Sequence, residues 1–266
     1  MCKTEQLIGV SCIWPIEGPL ISANQLELLK RARIQCVETG VRHDWETSSH
    51  IAHTDRLKAI IDSFQEAGIT VWSIHMPFGT TIDISHPKHC QGTIELVSQY
   101  MEVCAQMGVD KVVVHPSAEP IEDHDRSRRI EYCVQSVKTL YRPDVAIALE
   151  TLPRTCLMNT AEEVAHILAL TEGYAGVCAD LNHSHKDSIT DMLRTIGDRL
   201  LTLHVSDDDG IDEKHWYPTS GVIDWKKVLD TLDEIGYQGC FLYEVRECHE
   251  NPMAVRNNYE MLRSLS

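Results

Sequence analysis

Short apolar runs alternate with segments of helical period from one end of the chain to the other. The strand-like runs are LIGVSCI (7–13), CVET (36–39), VWSIHM (71–76), KVVVH (111–115), VAIALE (145–150), AGVCAD (175–180), LLTLHV (200–205) and CFLYEV (240–245). Several are continuously apolar rather than alternating, the pattern of parallel strands covered on both faces. Between them, apolar residues recur every three or four positions. In TIELVSQYMEVCAQMG, Ile94, Val97, Met101 and Cys104 fall on one helical face and Gly108 ends the pattern. In DWKKVLDTLDEIG, Asp224 is a candidate N-cap, and Trp225, Val228, Leu229, Leu232 and Ile235 form a stripe that Gly236 stops. Asn159 or Thr160 and the pair Asn251-Pro252 mark two further helix starts, and Gly68, Gly108, Gly173 and Gly236 each stand shortly before a strand.

Eight strand-then-helix units in 266 residues predict a closed (β/α)₈ barrel, which typically needs about 250. An open doubly wound sheet would normally use fewer strands and a glycine-rich first turn, and G-V-S-C-I-W-P is not one. Without a linker, low-complexity tract or break in composition, one domain over residues 1–266 is expected.

In a parallel barrel all strand C-termini open onto one face, so residues placed there converge. The predicted ends carry Glu38, His75, His115, Glu150, Asp180, His204 and Glu244. Seven of eight strands thus finish in a carboxylate or an imidazole, spaced about 34 residues apart, close to the roughly 30-residue βαβ repeat. Gathered carboxylates repel unless a cation neutralises them or their pKa values rise. No lysine or arginine stands at these ends, so a divalent ion is expected. A mainly oxygen ligand set suits Mn²⁺, Mg²⁺ or Co²⁺, with Zn²⁺ also open.

The balance of 24 basic and 40 acidic residues, a formal charge of −16, argues against a phosphate-backbone partner and an anionic membrane surface. No apolar run reaches the roughly 18 residues of a membrane span. The ten cysteines are scattered without a C-x-x-C, and MCKTEQLIGV lacks the plan of a secretory segment. A reducing, cytoplasmic location is expected.

The strand ends, with D180-x-x-H183, H204-V-S-D207, the segment D212-E-K-H-W-Y-P-T-S-G-V-I-D-W225 and Y-E244, resemble the sugar phosphate isomerase/epimerase superfamily over nearly the whole chain. These are xylose isomerase-like TIM barrels that include ketose 3-epimerases, inosose dehydratases and apurinic-site endonucleases. The resemblance implies that Glu150, Asp180, His204 and Glu244 hold one divalent ion. It also implies that Glu150 and Glu244 are the acid/base pair, and that His183 contacts a substrate hydroxyl. The implied substrate is a small sugar or polyol, and the implied reaction moves a proton through a metal-stabilised enediolate. Epimerisation or isomerisation follows according to which carbon receives the proton back.

The endonuclease branch offers an alternative, because its histidines at the ends of strands three and four hold further zinc ions. His75 and His115 match these, and Glu213-Lys-His215 resembles the D-x-H pair of that branch with Glu for Asp. His183 completes a nearly full set of additional ligands for more than one Zn²⁺. A binding protein that has lost catalysis is a third reading.

Around the centre, His75, His115, His183 and His215 are candidates for the polar wall of the substrate pocket, and Trp14-Pro15 and Met76-Pro77-Phe78 for its apolar wall. Glu38 is a candidate for a substrate hydroxyl or for bracing His75. Arg154 and Arg246 are candidates for a substrate phosphate or carboxylate, Asp207 for the support of a ligand, and His185 for a solvated turn. A homo-oligomer fits the resemblance, although no residues mark an interface.

Overall fold

The computed structural model describes residues 6–44, 49–183, 186–246 and 248–265. Eight parallel strands form one sheet: β1 (Ile8–Pro15), β2 (Cys36–Arg42), β3 (Thr70–His75), β4 (Lys111–Val114), β5 (Ala146–Glu150), β6 (Gly176–Asp180), β7 (Leu200–His204) and β8 (Phe241–Tyr243). Each neighbours the next in the sequence, and β8 returns to β1. Two backbone hydrogen bonds close the seam between β7 and β8, from Val205 N–H to Leu242 O (2.8 Å) and from Glu244 N–H to Val205 O (3.1 Å). The expected (β/α)₈ barrel is the fold observed.

The helices lie outside: α1 (Ala23–Arg31), α2 (Thr54–Glu66), α3 (Cys90–Met107), α4 (Arg126–Leu140), α5 (Ala161–Leu170), α6 (Ile189–Ile196), α7 (Trp225–Glu234) and α8 (Pro252–Arg263). The end signals behave as their chemistry requires. Thr160 caps α5 by accepting from Glu163 N–H, and Asp224 caps α7 by accepting from Lys227 N–H. Gly68, Gly108, Gly173 and Gly236 all take positive φ, between 72° and 79°, where the chain leaves a helix for the next strand.

The main apolar core lies between barrel and helices, where Leu57, Ile61 and Phe64 of α2 and Leu96, Val97 and Tyr100 of α3 are buried. The barrel interior is filled by two smaller groups: Cys36, Cys240 and Leu242 with Trp72, and Val113, Ala148 and Cys178 with Leu201. Among the described residues no helix is long and apolar enough to cross a membrane, and the nine described cysteines are free.

Several strand ends shift by one or two residues, leaving His115 and Glu244 just past β4 and β8, and the end of β2 differs most. β2 does not stop at Thr39 but runs to Arg42, because β1 continues beside it, with Ile13, Trp14 and Pro15 as register partners of Gly40, Val41 and Arg42, whereas the pairing with β3 ends at Thr39. Glu38 therefore sits inside the strand, one layer below the rim. Cys2 and His185 lie outside the described residues.

Candidate metal centre

Glu150, Asp180 and His204 close β5, β6 and β7, and Glu244 directly follows β8. Asp180 and His204 are register partners across β6 and β7. The local turns aim their side chains inward. Asn182 N–H donates to Asp180 Oδ1 (2.7 Å), which leaves Oδ2 facing the barrel axis. Thr151, just past β5, ties this corner together: its hydroxyl accepts from Asp180 N–H (2.9 Å) and its carbonyl accepts from His183 Nδ1 (3.0 Å).

The donor atoms converge. His204 Nδ1 lies 3.2 Å from Glu244 Oε2, 3.4 Å from Glu150 Oε1 and 3.7 Å from Asp180 Oδ2. All four ligand-type atoms fall within 4.8 Å of one another. Three of them (Asp180 Oδ2, His204 Nδ1 and Glu244 Oε2) are buried with no hydrogen-bond partner. Buried polar atoms are ordinarily paired, and leaving one unpaired costs about 1–3 kcal/mol. Three orphans aimed at one point, in a set of three oxygens and one nitrogen, fit a divalent cation.

Glu38 has a different place from the one expected. It is wholly buried and accepts hydrogen bonds from Ser73 Oγ (2.7 Å), Ser11 Oγ (3.1 Å) and His204 Nε2 (2.8 Å). Ser11, Glu38 and Ser73 are register partners across β1, β2 and β3. Its protein partners are Ser11, Ser73 and His204 rather than His75. With Nε2–H committed to Glu38, a neutral His204 carries its lone pair on Nδ1, facing the three carboxylates, the carboxylate–histidine arrangement common behind metal-binding imidazoles. The two serines are the residues that sequence reasoning missed. Only the strand register places them beside Glu38.

Two further groups adjoin this centre. His75 Nε2 and His115 Nε2 both meet Glu150 Oε2, at 3.2 and 3.1 Å. His75 Nδ1 bonds Met76 O (2.8 Å), and Phe78 stacks on His115 with ring centroids 4.3 Å apart. Met76 is buried, so of the expected Met-Pro-Phe wall Phe78 is the half-buried aromatic member. On the other side His183 Nε2 meets Glu213 Oε2 (2.8 Å), and His215 Nδ1 bonds Glu244 O (3.0 Å). Each trio, His75–His115–Glu150 and His183–Glu213–His215, also brings its donor atoms within 4.8 Å.

The carboxylates and imidazoles shift one another. Burial opposes charge on His204, but Cys178, Glu244, Glu38 and Glu150 around it outweigh that and raise its pKa well above the usual range. Burial likewise opposes charge on His75 and His183. Glu150 nevertheless lifts His75 to about 9, and Asp180 with Glu213 lifts His183 to about 10. Glu150 would be raised by burial, yet His115 and His204 hold it well below the ordinary value. Without a metal, protons on imidazoles supply the positive charge that this cluster needs.

The remaining candidates separate. Trp14 is half-buried at the end of β1, edge-on to His249 with centroids 5.5 Å apart. Arg246 is exposed, and its backbone N–H donates to His215 O. Arg154 is not a free cation for a substrate anion, because Glu119, Asp212 and Glu213 all bind its guanidinium at 2.8–3.2 Å. It latches the loops after β4, β5 and β7 together.

Asp207 does not support a ligand either. Its carboxylate takes Trp225 Nε1–H (2.9 Å), Ile223 N–H (3.2 Å) and Asp208 N–H (3.0 Å), organising the loop after β7. Gly221 leaves room for it: a methyl group there would lie 2.0 Å from Asp208 O and 2.4 Å from Asp207 Oδ1. Gly221→Ala must displace backbone, so it is expected to lower the thermal midpoint by roughly 4–8 °C, equivalent to about 2 kcal/mol. A melting curve superimposable on that of the wild type would contradict this packing argument.

Comparison with known proteins gives the family of the fold. Residues 26–265 match the family described as xylose isomerase-like TIM barrel, and the chain belongs to that family. Among curated relatives it is similar to a D-psicose 3-epimerase of Enterocloster bolteae, 26% identical over 45% of this chain and 40% of that protein. It is also similar to an inosose isomerase of Bacillus licheniformis, 24% identical over 55% of this chain and 59% of that one. The first two curated relatives it matches are spanned over 52% and 63% of their own lengths.

Two solved structures share the fold over almost the full length. A xylose isomerase domain protein from Planctomyces limnophilus superposes with TM-score 0.73 at 18% identity, covering 99% of this chain and 97% of that one. A D-psicose 3-epimerase from Clostridium cellulolyticum H10, solved with D-tagatose, gives TM-score 0.68 at 19% identity, covering 96% and 98%.

Proposed function

We propose that the protein is a divalent-metal-dependent isomerase or epimerase of a sugar, polyol or related α-hydroxycarbonyl compound. The observation that carries this reading is the convergence of the three orphaned buried atoms of Asp180, His204 and Glu244 beside Glu150 at the strand ends. The epimerases and isomerase among its relatives support the carbohydrate class.

Glu150, Asp180, His204 and Glu244 would hold the ion, with Mn²⁺, Mg²⁺, Co²⁺ and Zn²⁺ as the candidates. A bound divalent ion supplies positive charge opposite the substrate oxygens on which negative charge develops as a C–H proton leaves. Glu150 and Glu244 are the acid/base pair: one carboxylate takes the proton and the other returns one. Glu244, partly open to the cavity, meets the substrate directly, whereas Glu150 is almost fully buried among His75, His115 and His204. His183 is held through Nδ1 by Thr151 O and through Nε2 by Glu213, so a substrate hydroxyl would meet its Nε2–H by replacing the Glu213 carboxylate. His75, His115, His215, Trp14 and Arg246 form the remaining pocket wall. Glu38 positions His204, so Glu38→Gln is expected to weaken metal affinity by about 10–100-fold, read by competition with a chromogenic chelator. Unchanged affinity would refute that positioning role.

The reading is tested by incubating the metal-loaded protein with a ketose panel in deuterated water. Incorporation of solvent deuterium is expected for at least one ketose. Ketose binding without any incorporation would instead identify a sugar-binding protein that lacks catalysis.

One observation favours a second reading. The His75–His115–Glu150 and His183–Glu213–His215 trios could each hold a further metal ion, and with Glu213 in place of Asp they nearly match the ligand set of a polynuclear zinc phosphoesterase. An abasic-site DNA duplex run beside the ketoses, together with the metal content per chain, discriminates them. Cleavage of the duplex at several zinc ions per chain would select the phosphoesterase. Proton exchange with one ion per chain selects the isomerase.

A further inference from the structure

The opposite end of the barrel interior holds a pair of thiols that the proposed chemistry does not use. Cys36 opens β2 and Cys240 immediately precedes β8, and both strands flank β1. Inward-facing side chains on alternate strands of a flat sheet would stand about 9–10 Å apart, twice the strand spacing. Here the residue between them is Gly9, the register partner of Cys36. Its missing side chain is what lets the sulfurs meet: a methyl group at Gly9 would lie 2.6 Å from Cys240 Sγ and 3.0 Å from Cys36 Sγ.

The two sulfurs stand 2.6 Å apart, well inside the roughly 3.5–4.0 Å at which non-bonded heavy atoms rest. Both are fully buried, enclosed by Leu242, Leu7 and Trp72. No other sulfur–sulfur pair is brought this close among the described residues.

We infer that Cys36 and Cys240 form an oxidation site, at which a hydroperoxide converts the thiol pair into a disulfide that staples β2 to β8 across β1. One sulfur, as its thiolate, attacks the peroxide, breaking the O–O bond to give a sulfenic acid. The second sulfur then displaces hydroxide from that sulfenic acid. In sum two thiols lose two electrons and two protons, the S–S bond forms, and one hydrogen peroxide is reduced to two waters. Peroxide is small enough to enter where a bulky disulfide reagent is not. Burial holds the Cys240 thiol well above its usual pKa, so the reaction is slow and follows transient opening of the barrel floor. The cross-link joins residues 204 apart in sequence, a separation at which it restricts the unfolded chain strongly.

Reduced full-length protein is treated with hydrogen peroxide, then denatured, alkylated and digested for mass spectrometry. A linked Cys36–Cys240 peptide is expected, lost on treatment with dithiothreitol. The oxidised protein is expected to melt roughly 5–15 °C higher than the reduced one. Cys240→Ser is expected to give neither the link nor the rise. Gly9→Ala, if it folds, is expected to block the link by occupying the space between the sulfurs. Should a Cys240 variant fail to fold, the wild-type peptide map decides alone. Alkylation of both Cys36 and Cys240 after a peroxide dose that oxidises the half-buried Cys90 overturns the proposal, as does a link that leaves the midpoint unchanged. Neither result touches the metal centre, so the functional reading stands or falls separately.

Discussion

Glu150→Gln is expected to reduce solvent-proton exchange into the substrate by roughly 10³-fold or more, with Glu244→Gln close behind. Glutamine keeps the size of the side chain and one carbonyl oxygen but cannot accept a proton at neutral pH. A positioned acid/base group contributes roughly 10²–10⁴-fold, and the same change removes a charged donor from the metal set. Glu150 carries the larger expectation because it belongs to two donor groups at once. Its Oε1 faces His204, while its Oε2 meets both His75 and His115. Loss of its charge also releases the protons that His75 retains up to about pH 9, so the glutamine variant reorganises a whole wall. The check is deuterium incorporation by NMR, paired with far-ultraviolet circular dichroism to establish that the variant is folded. If both glutamine variants exchange at the wild-type rate, the acid/base assignment is wrong.

The candidate site was legible in the sequence where a strand's end coincides with a change of chemistry. ALE150, CAD180 and LLTLH204 each pass from apolar to ionisable at the last residue of the strand, and the structure ends β5, β6 and β7 there. It was not legible at Glu38. The run CVETGVR gives no hydrophobic reason to continue past Thr39, and β2 continues because β1 extends beside it as far as Pro15. That is a property of the neighbouring strand, and it cannot be read from β2 alone. The role of Glu38 was hidden for the same reason. A buried carboxylate needs donors, and its donors Ser11 and Ser73 lie 27 and 35 residues away on flanking strands. Arg154 shows a second kind of hidden information. Its three carboxylate partners come from two loops whose lengths and signs offer no periodicity, so only coordinates show that its charge is already matched. The fold was legible because it repeats. The support of the site was not, because its contacts cross between repeats.

Metal binding should release protons and tighten as pH rises, by about tenfold per unit for each proton displaced. The reason lies in the histidines. His75 and His183 have folded-state values of about 9 and about 10, above the ordinary 6.5, and His204 is raised well above it. A histidine raised on folding contributes stability that is complete below its unfolded value and disappears as pH climbs through its folded value. The metal-free protein should therefore lose stability between about pH 6.5 and pH 10. Glu213, lowered from 4.5 to about 2 first by its hydrogen bond to His183, works in the opposite sense. Its contribution is present above pH 4.5 and is lost as pH falls toward 2. The apo protein is accordingly most stable in mildly acidic solution. A divalent ion must displace the proton on His204 Nδ1, so it replaces pH-dependent compensation with a fixed charge. At a thousand times its dissociation constant it should add about 4 kcal/mol, or roughly 8–16 °C in midpoint. That gain should be larger at pH 8 than at pH 6. Thermal melts with Mn²⁺, Mg²⁺, Co²⁺ and Zn²⁺ at both pH values, with calorimetry in two buffers of different ionisation enthalpy, measure the gain and the proton count. Equal midpoints with and without every ion, and no proton release, would mean that protons alone balance these carboxylates, and the metal-dependent reading would fall.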